Sequence, residues 1–339
     1  MPVTRDEVLW AYKLIMGRSP ESESVIKHHM QSQDLDALRA SFMNSIEFRS
    51  SLHKVINSMI TVMPLDAEKI EVEVNASSAQ IAACIEKIKK SWTHLGNTRP
   101  HWSVLTSERF LPENIDASME EFWESGERTA EQLESILARY DCNSIRTKTC
   151  VEFGCGVGRI TIPLARRFAM LHGYDISAAH LSLALKRAQE QGIDNMALHV
   201  WPETLLGPLA ECDVFYSIIV FQHNPPPVIS KLLSDALRAL KPAGIAIFQV
   251  PTYIKGYYFN TREWLNDNHP LEMQMHCLPQ RNIFEIVVRE NCELLDVRED
   301  NKTGKPDRFI SNTFIIRKKV SPSSYQMLNQ CVNGSGLIK

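Results

Sequence analysis

Apolar side chains near the N-terminus recur every three or four positions, which is the spacing of one face of an α-helix. The run from Val8 to Met16 shows this spacing first, and further helical segments follow at residues 34–43 and 45–58. A segment of this length can bury only a small core. We therefore expect residues 1–58 to form a small helical module that docks onto another molecule and performs no catalysis.

The next part of the chain has a weaker pattern. We interpret residues 59–92 as a connector that ends in an amphipathic helix at 77–92. Aromatic and polar residues are mixed from Thr93 to Ser118, and a helix rich in Glu is predicted from Met119 to Tyr140. At the other end, residues 320–339 are rich in Ser, Asn and Gly, which predicts a loose tail.

From Thr149 onward, short apolar runs alternate with helical patterns. The runs that predict strands are Cys150–Phe153, Leu171–Tyr174, Met196–Val200, Asp213–Val220 and Ile245–Val250. Strands separated by helices pair in parallel, with helices on both faces of the sheet. Two late runs, Glu293–Arg298 and Phe309–Arg317, have only a polar turn between them, so they should pair antiparallel. The predicted fold is α/β: a Rossmann-like, mostly parallel sheet of seven strands with a terminal antiparallel pair, preceded by a small all-helical domain.

The first of these strands leads into a glycine-rich loop, Gly154-Cys155-Gly156-Val157-Gly158. Glycines let the backbone bend and approach a ligand closely, and the positive end of the following helix favours a ligand carboxylate. Asp175 lies 21 residues after Gly154, at the end of the second strand. That position suits a carboxylate that accepts hydrogen bonds from two ribose hydroxyls. The sequence therefore predicts a nucleotide site at the carboxyl edge of the sheet.

The loop departs from the pattern of a dinucleotide site. Arg159 stands where G-x-G-x-x-G requires its third glycine, and Glu152 precedes the first glycine by two residues. The sequence E-x-G-x-G-x-G resembles the first motif of class I S-adenosylmethionine-dependent methyltransferases, and the resemblance extends over residues 142–319. It implies that the loop and Glu152 hold the methionine portion of S-adenosylmethionine, while Asp175 holds the ribose and Ile176 packs on adenine. The alternative is a Rossmann-like domain without this cofactor.

On this resemblance we expect a class I methyltransferase domain over residues 93–319 with S-adenosyl-L-methionine as its cofactor. Ser177 should cap the helix that follows the second strand, and Val220 should border the cofactor after the fourth. The expected cofactor-binding residues are Glu152, Gly154, Cys155, Gly156, Gly158, Arg159, Asp175, Ile176, Ser177 and Val220.

The fourth strand leads to His223, which would reach the same edge of the sheet. Our catalytic hypothesis is that His223 acts as a base that deprotonates a hydroxyl acceptor, or orients that acceptor. The alternative is that it bonds to backbone in its own loop. The adjacent sequence Asn224-Pro225-Pro226-Pro227 lacks the aromatic residue of the N/D-P-P-aromatic motif of amino-methylating enzymes. Asn224 is therefore predicted to cap a helix.

Aromatic and histidine residues before and after the sheet supply the expected substrate wall. The expected substrate-binding residues are His101, Trp102, Tyr253, Tyr257 and His276. Such a lining suits a sugar ring or another small ring. The N-terminal module, with Tyr12, Gly17-Arg18 and Ser45-x-x-Phe48, resembles a bacterial helical module that accompanies enzymes of surface-polysaccharide assembly. This resemblance covers about 50 residues and implies a glycan acceptor.

Composition narrows the partners further. A net charge of −3 gives no overall positive field, so we expect no nucleic-acid partner. No apolar run approaches the ~18 residues of a membrane span. The eight cysteines are scattered without a C-x-x-C pair, which favours a reducing cytoplasm. His28 and His29 have no further ligands at metal-binding spacing, and we expect no metal site.

The sequence as a whole predicts an enzyme that transfers a methyl group from S-adenosylmethionine to a hydroxyl of a small molecule or glycan. Its N-terminal module would contact a protein partner. Two alternatives stay open at this point. One is methylation of nitrogen on a small amine, amino sugar or protein. The other is a non-catalytic, cofactor-binding interaction protein whose helical module performs the function.

Overall fold

The computed structural model describes residues 3–49, 67–202, 209–267, 273–300, 302–304 and 308–320. Within them the chain divides into two compact units, and the larger one begins at Glu68. The predicted module end at residue 58 and most of the predicted tail lie outside the described residues. Residue 93, the start that the sequence predicts for the larger domain, lies further along the chain.

The smaller unit is helical, as predicted. Its helices are α1 (Arg5–Ala11), extended by a π-helical turn (Tyr12–Met16), α2 (Glu23–His29) and α3 (Leu35–Asn44). One apolar cluster holds them together, formed by the buried residues Val3, Val8, Tyr12, Ile26, Leu38 and Phe42. Of the helix predicted at 45–58, only residues up to 49 are described, and residues 46–49 are helical.

Three helices precede the sheet in the larger unit: α4 (Ser78–Thr98), α5 (Pro100–Val104) and α6 (Ile115–Arg139). Helix α4 continues six residues beyond the predicted end because Leu95 and Gly96 extend its buried face. It ends just before Pro100, as expected for the residue that precedes a proline. Since Cys84, Ile85 and Ile88 of α4 belong to the core of the larger unit, this helix is part of the same folded body as the sheet.

The sheet confirms the predicted fold class. Its strands are β2 (Thr149–Phe153), β3 (Met170–Asp175), β4 (Met196–Val200), β5 (Cys212–Ser217), β6 (Leu240–Ile254), β8 (Cys292–Asp300) and β9 (Phe309–Lys318). They lie in the order β4-β3-β2-β5-β6-β9-β8. Strand β9 runs antiparallel to both neighbours, and the other pairs are parallel. A separate short pair joins β1 (Glu71–Val72) to β7 (Tyr258–Phe259).

Helices cover both faces of the sheet. The helices that follow β2 are α7 (Thr161–Ala165), α8 (Ala178–Glu190), α9 (Pro226–Ala239), α10 (Thr261–Asn266) and α11 (Gln280–Arg289). One apolar cluster joins one face to residues of α4, α9 and α11, and a second joins the other face to α6 and α7. None of the helices in the described part of the chain is long and apolar enough to cross a membrane.

Two local predictions near β5, which is the fourth strand predicted from the sequence, were wrong. Strand β5 ends at Ser217, before the predicted Val220, because Ile219 takes a φ of 62° that cannot continue a strand. Asn224 does not cap α9; Pro225 occupies the cap position, and the Asn224 amide donates to the carbonyl of Val220 at 2.9 Å. Three consecutive prolines follow Asn224, and none of them has an N–H that its side chain could accept.

Candidate cofactor-binding site

The glycine loop turns sharply away from the end of β2. Gly154 and Gly156 have φ values of 77° and 55°, a region that other residues rarely adopt. A Cβ atom on Gly154 would lie 2.2 Å from Cγ2 of Val220, and one on Gly156 would lie 2.7 Å from Cγ2 of Val104. The loop therefore needs glycine both for its bend and for the close approach of its neighbours.

Asp175, at the end of β3, fixes this loop. Its Oδ2 atom accepts a hydrogen bond from the backbone N–H of Gly156 at 2.8 Å, and its Oδ1 atom accepts one from Ser177 at 2.9 Å. Ser177 in turn caps α8 by accepting from the N–H of His180. The carboxylate is thus held against the loop by two backbone donors, and its remaining lone pairs are available to a ligand.

A cavity of about 270 Å³ lies at the carboxyl ends of β2, β3 and β5. Its volume is close to the lower end of the range of small-molecule pockets, ~300 Å³. The predicted cofactor residues in its wall are Glu152, Gly154, Cys155, Gly156, Arg159, Asp175, Ile176 and Val220. Gly158 and Ser177 are outside the wall. A Cβ atom on Gly158 would lie 3.1 Å from Ala184 of α8, so this glycine brings the loop close to that helix.

The cavity wall contains two buried ionisable residues, Glu152 and Arg159, which are 4% and 9% exposed. Arg159 donates to the hydroxyl of Ser125 on α6 at 3.0 Å. Within the described part of the chain, Oε2 of Glu152 and Nε of Arg159 have no hydrogen-bond partner. Burial raises the pKa of Glu152 to about 8 and lowers the pKa of Arg159. Buried polar atoms without partners next to a cavity fit a polar ligand group that would satisfy them.

The helices before the sheet form a roof over the cavity, and the roof residues in its wall come directly after the predicted ones in the chain. The wall includes Ser103, Val104 and Leu105, whereas the predicted His101 and Trp102 are outside it. The ring of His101 packs against that of Phe122, with 5.1 Å between the ring centroids, and the ring of Trp102 lies next to the guanidinium of Arg99. In a single helical turn, successive residues face different directions, so a shift of one or two positions changes which side chain meets the cavity.

Helix α6 also contributes Ser125 and Thr129 to the wall, two residues that are not among those predicted from the sequence. A signal was present in Gly126, an unfavourable residue for a helix interior. A Cβ atom there would lie 1.9 Å from the carbonyl oxygen of Arg159. This glycine allows α6 to contact the end of the glycine loop.

His223 lies outside the cavity wall, in a small pocket that also includes Trp92 and His276. Its Nδ1 atom is 3.1 Å from the carbonyl oxygen of Gln274, and its Nε2 atom is 3.2 Å from the amide nitrogen of Gln222. Burial lowers the pKa of His223 to about 4. Because both ring nitrogens are used within the protein, the geometry favours the second interpretation, in which His223 bonds to its own surroundings.

The other predicted substrate residues also lie outside the cavity wall. The hydroxyl of Tyr257 is 2.7 Å from Nδ1 of His276, and the backbone N–H of His276 donates to the carbonyl of Gln222. Burial lowers the pKa of His276 to about 3. The hydroxyl of Tyr253 donates to the backbone of Glu68 at 3.2 Å. In this structure these side chains connect segments of the fold. In the described ranges, no three His, Cys, Asp or Glu side chains are grouped as metal ligands would be.

Comparison with known proteins agrees with this site. A family profile described as a methyltransferase domain matches residues 150–244. A ubiquinone biosynthesis O-methyltransferase from Pseudomonas entomophila (strain L48) is 29% identical over 106 residues, which are 31% of this chain and 45% of the relative. The enzyme of the same name from Maricaulis maris (strain MCS10) is 33% identical over 98 residues, 29% of this chain and 38% of the relative. The chain thus spans less than half the length of either relative.

Among solved structures, magnesium protoporphyrin IX methyltransferase (ChlM) from Synechocystis PCC 6803 with bound SAH has a TM-score of 0.50. It is 17% identical, and the match covers 70% of this chain and all of that one. At this identity the likeness concerns the fold. The family match, the sheet order and the loop motif agree with one another. Residues 150–244 therefore match a methyltransferase domain, and the order of the strands agrees with the fold of an S-adenosylmethionine-dependent methyltransferase.

Proposed function

We propose that this chain is an enzyme that transfers a methyl group from S-adenosylmethionine to a hydroxyl of a small molecule or glycan. The main support is the cavity at the glycine loop, whose wall includes the carboxyl groups of both Glu152 and Asp175. A sulfonium nucleoside with an amino-acid tail carries ribose hydroxyls, an ammonium and a carboxylate. Asp175 would accept a hydrogen bond from the ribose, while Glu152, Arg159 and the glycine loop would bind the amino-acid tail.

The cofactor itself supplies a methyl group on a positively charged sulfur, which is already reactive. The protein has to hold the acceptor in line with that group and keep water away. Apolar side chains of the wall, among them Ile88, Trp92 and Val220, support the exclusion of water. They also favour an acceptor with an apolar or ring-shaped body.

A hydroxyl acceptor is supported by the names of the curated relatives, which are O-methyltransferases. Because His223 has both ring nitrogens engaged, the acceptor would need a proton that leaves readily. A phenolic hydroxyl, with a pKa of roughly 10 as in tyrosine, meets this condition better than a sugar hydroxyl. Within the proposal, we therefore rank a phenol above a glycan.

The proposal extends to the surroundings of the enzyme. Trp10 and Leu14 of the N-terminal unit are 59% and 78% exposed, which supports contact with a protein partner through this unit. The cysteines in the described ranges are free and buried. Free thiols of this kind support a reducing compartment such as the cytoplasm.

The direct test is a transfer assay with S-adenosylmethionine labelled on its methyl group and a panel of phenols, sugars and amines. Label that appears in phenols or sugars supports the proposal. Label that appears only in amines supports methylation of nitrogen instead. If the protein binds S-adenosylhomocysteine but no acceptor in a broad panel gains label, the non-catalytic alternative is favoured.

A further inference from the structure

A buried histidine in the cavity wall, His180, has no role in the motif of the glycine loop. It lies in the first turn of α8 and is 1% exposed. Its Nε2 atom is 2.9 Å from the hydroxyl oxygen of Ser103 in the roof. That hydroxyl donates its hydrogen to the carbonyl of Pro100 at 2.9 Å. Because the Ser103 hydrogen is used there, Ser103 accepts a hydrogen bond from the Nε2–H group of His180, and this bond selects the tautomer with its hydrogen on Nε2.

This tautomer leaves a lone pair on Nδ1 of His180. Within the described ranges, Nδ1 has no hydrogen-bond partner. It lies 3.6 Å from Oδ1 of Asp175, which is itself an acceptor for the N–H of Ser177. Two acceptors thus face each other at the edge of the cavity without a donor between them. A buried arrangement of this kind is satisfied when a ligand supplies hydroxyl hydrogens.

The position of the ring is fixed from both sides. The cap of α8 by Ser177 sets the backbone of His180, and the bond to Ser103 sets the imidazole. Helix α4 packs directly on this corner, since a Cβ atom on Gly96 would lie 2.2 Å from the hydroxyl of Ser177. The hydrogen bond to Ser103 and the close packing of α4 thus hold the ring in this orientation.

We propose that Nδ1 of His180 is a second acceptor, beside Asp175, for the vicinal hydroxyls of the nucleoside ligand. This inference rests on the proposed function, because it requires a ribose in the cavity. Asp175 accepts a hydrogen bond from one hydroxyl and His180 accepts one from its neighbour. The roof takes part through Ser103, which holds the proton of His180 on the opposite nitrogen.

Two substitutions separate the two nitrogens of the ring. In His180→Gln, the amide reaches the position of Nε2, so the contact with Ser103 is kept and the acceptor at Nδ1 is lost. In His180→Asn, the amide occupies the position of Nδ1, so an acceptor is kept and the contact with Ser103 is lost. His94→Asn, on the exposed surface of α4, is the matched control. Calorimetry measures the Kd of each protein for S-adenosylhomocysteine and for its 2′-deoxy and 3′-deoxy analogues.

The wild-type protein should bind S-adenosylhomocysteine about tenfold more tightly than at least one analogue, as expected for one lost hydrogen bond to the site. In His180→Gln the ratio for one of the two analogues should fall to nearly one. His180→Asn and His94→Asn should keep most of the wild-type ratio for that analogue. The inference is overturned if both ratios of Kd in His180→Gln equal those of the wild type. This includes the case in which the variant binds all three ligands more weakly by the same factor.

Failure of the proposed function gives a different result, namely that the wild-type protein binds none of the three ligands. A second measurement needs no variant. In wild-type protein labelled with ¹⁵N-histidine, a buried imidazole should show an unprotonated Nδ1 whose signal shifts when S-adenosylhomocysteine binds. One of the deoxy analogues should leave that signal in place. A proton on Nδ1 of His180 in the free protein would contradict the inference.

Discussion

Replacing Glu152 with glutamine tests whether this buried carboxyl group in the cavity wall lowers the stability of the folded protein and serves to bind a ligand. Glu152 is 4% exposed, and its Oε2 atom has no hydrogen-bond partner within the described ranges. Burial raises the pKa of its carboxyl group from 4.5 to about 8. Glutamine has nearly the same shape and no charge. The substitution therefore removes the cost of ionising this buried group.

The sign and the size of the effect follow from the two pKa values. Because the folded pKa lies above the unfolded one, the folded protein binds more protons than the unfolded chain between pH 4.5 and 8. The contribution of Glu152 to stability is complete below this range and is lost as the pH rises through it. At about 1.4 kcal/mol for each pH unit, the loss amounts to about 4 to 5 kcal/mol.

The assay is urea unfolding of wild-type and Glu152→Gln protein at pH 5, 7 and 9. Glu131→Gln, an exposed position on α6, serves as the control. The free energy of unfolding of Glu152→Gln should nearly match that of the wild type at pH 5 and exceed it by several kcal/mol at pH 9. The control should follow the wild type at every pH. Parallel pH curves for Glu152→Gln and the wild type would refute the reasoning.

The same variant should bind S-adenosylhomocysteine less tightly, by about tenfold, since glutamine cannot form a charge-assisted bond with an ammonium group. A gain in stability together with a loss of affinity is what a site kept for its ligand predicts. A gain in stability with unchanged affinity would mean that Glu152 does not face the ligand.

Other substitutions give further predictions. Gly154→Ala should lower the melting temperature and abolish binding of S-adenosylhomocysteine in calorimetry, because its Cβ would lie 2.2 Å from Val220; near wild-type behaviour would contradict the loop geometry. His223→Ala should cost about 1 to 3 kcal/mol in urea unfolding, because the backbone carbonyl of Gln274 loses its hydrogen-bond donor. A catalytic role would instead show as lost transfer without lost stability. Phe248→Ala removes a fully buried ring and should cost about 3 to 5 kcal/mol; a cost near zero would contradict its place in the core.

The parts of the site that sequence alone predicted are close together along the chain. The strand that ends at Phe153, the glycine loop and Asp175 belong to one strand-helix-strand unit, so their arrangement follows from local rules for parallel sheets. The parallel pairing of the strands separated by helices, and the antiparallel pairing of the last two strands, also followed from the alternation of elements.

The roof could not be predicted in the same way because it depends on contacts between distant segments. Ser103 meets His180 across 77 positions of the chain, and Arg159 meets Ser125 across 34. His223 is another residue whose position depends on a contact with a distant segment. Its distance along the chain from the fourth strand suggested a base at the cavity, but the loop around Gln274 takes up one of its nitrogens.

The cavity as a site for a sulfonium nucleoside is tested most directly by calorimetric titration of the intact protein with S-adenosylhomocysteine. Wild-type protein should bind one equivalent, and Asp175→Ala should bind at least about tenfold more weakly, since one hydrogen bond from a ribose hydroxyl to a carboxylate contributes about 1.5 to 3 kcal/mol. Asp194→Ala, at an exposed turn before β4, should match the wild type. If the wild-type protein does not bind, or if folded Asp175→Ala binds as tightly as wild type, the assignment of the cavity is wrong.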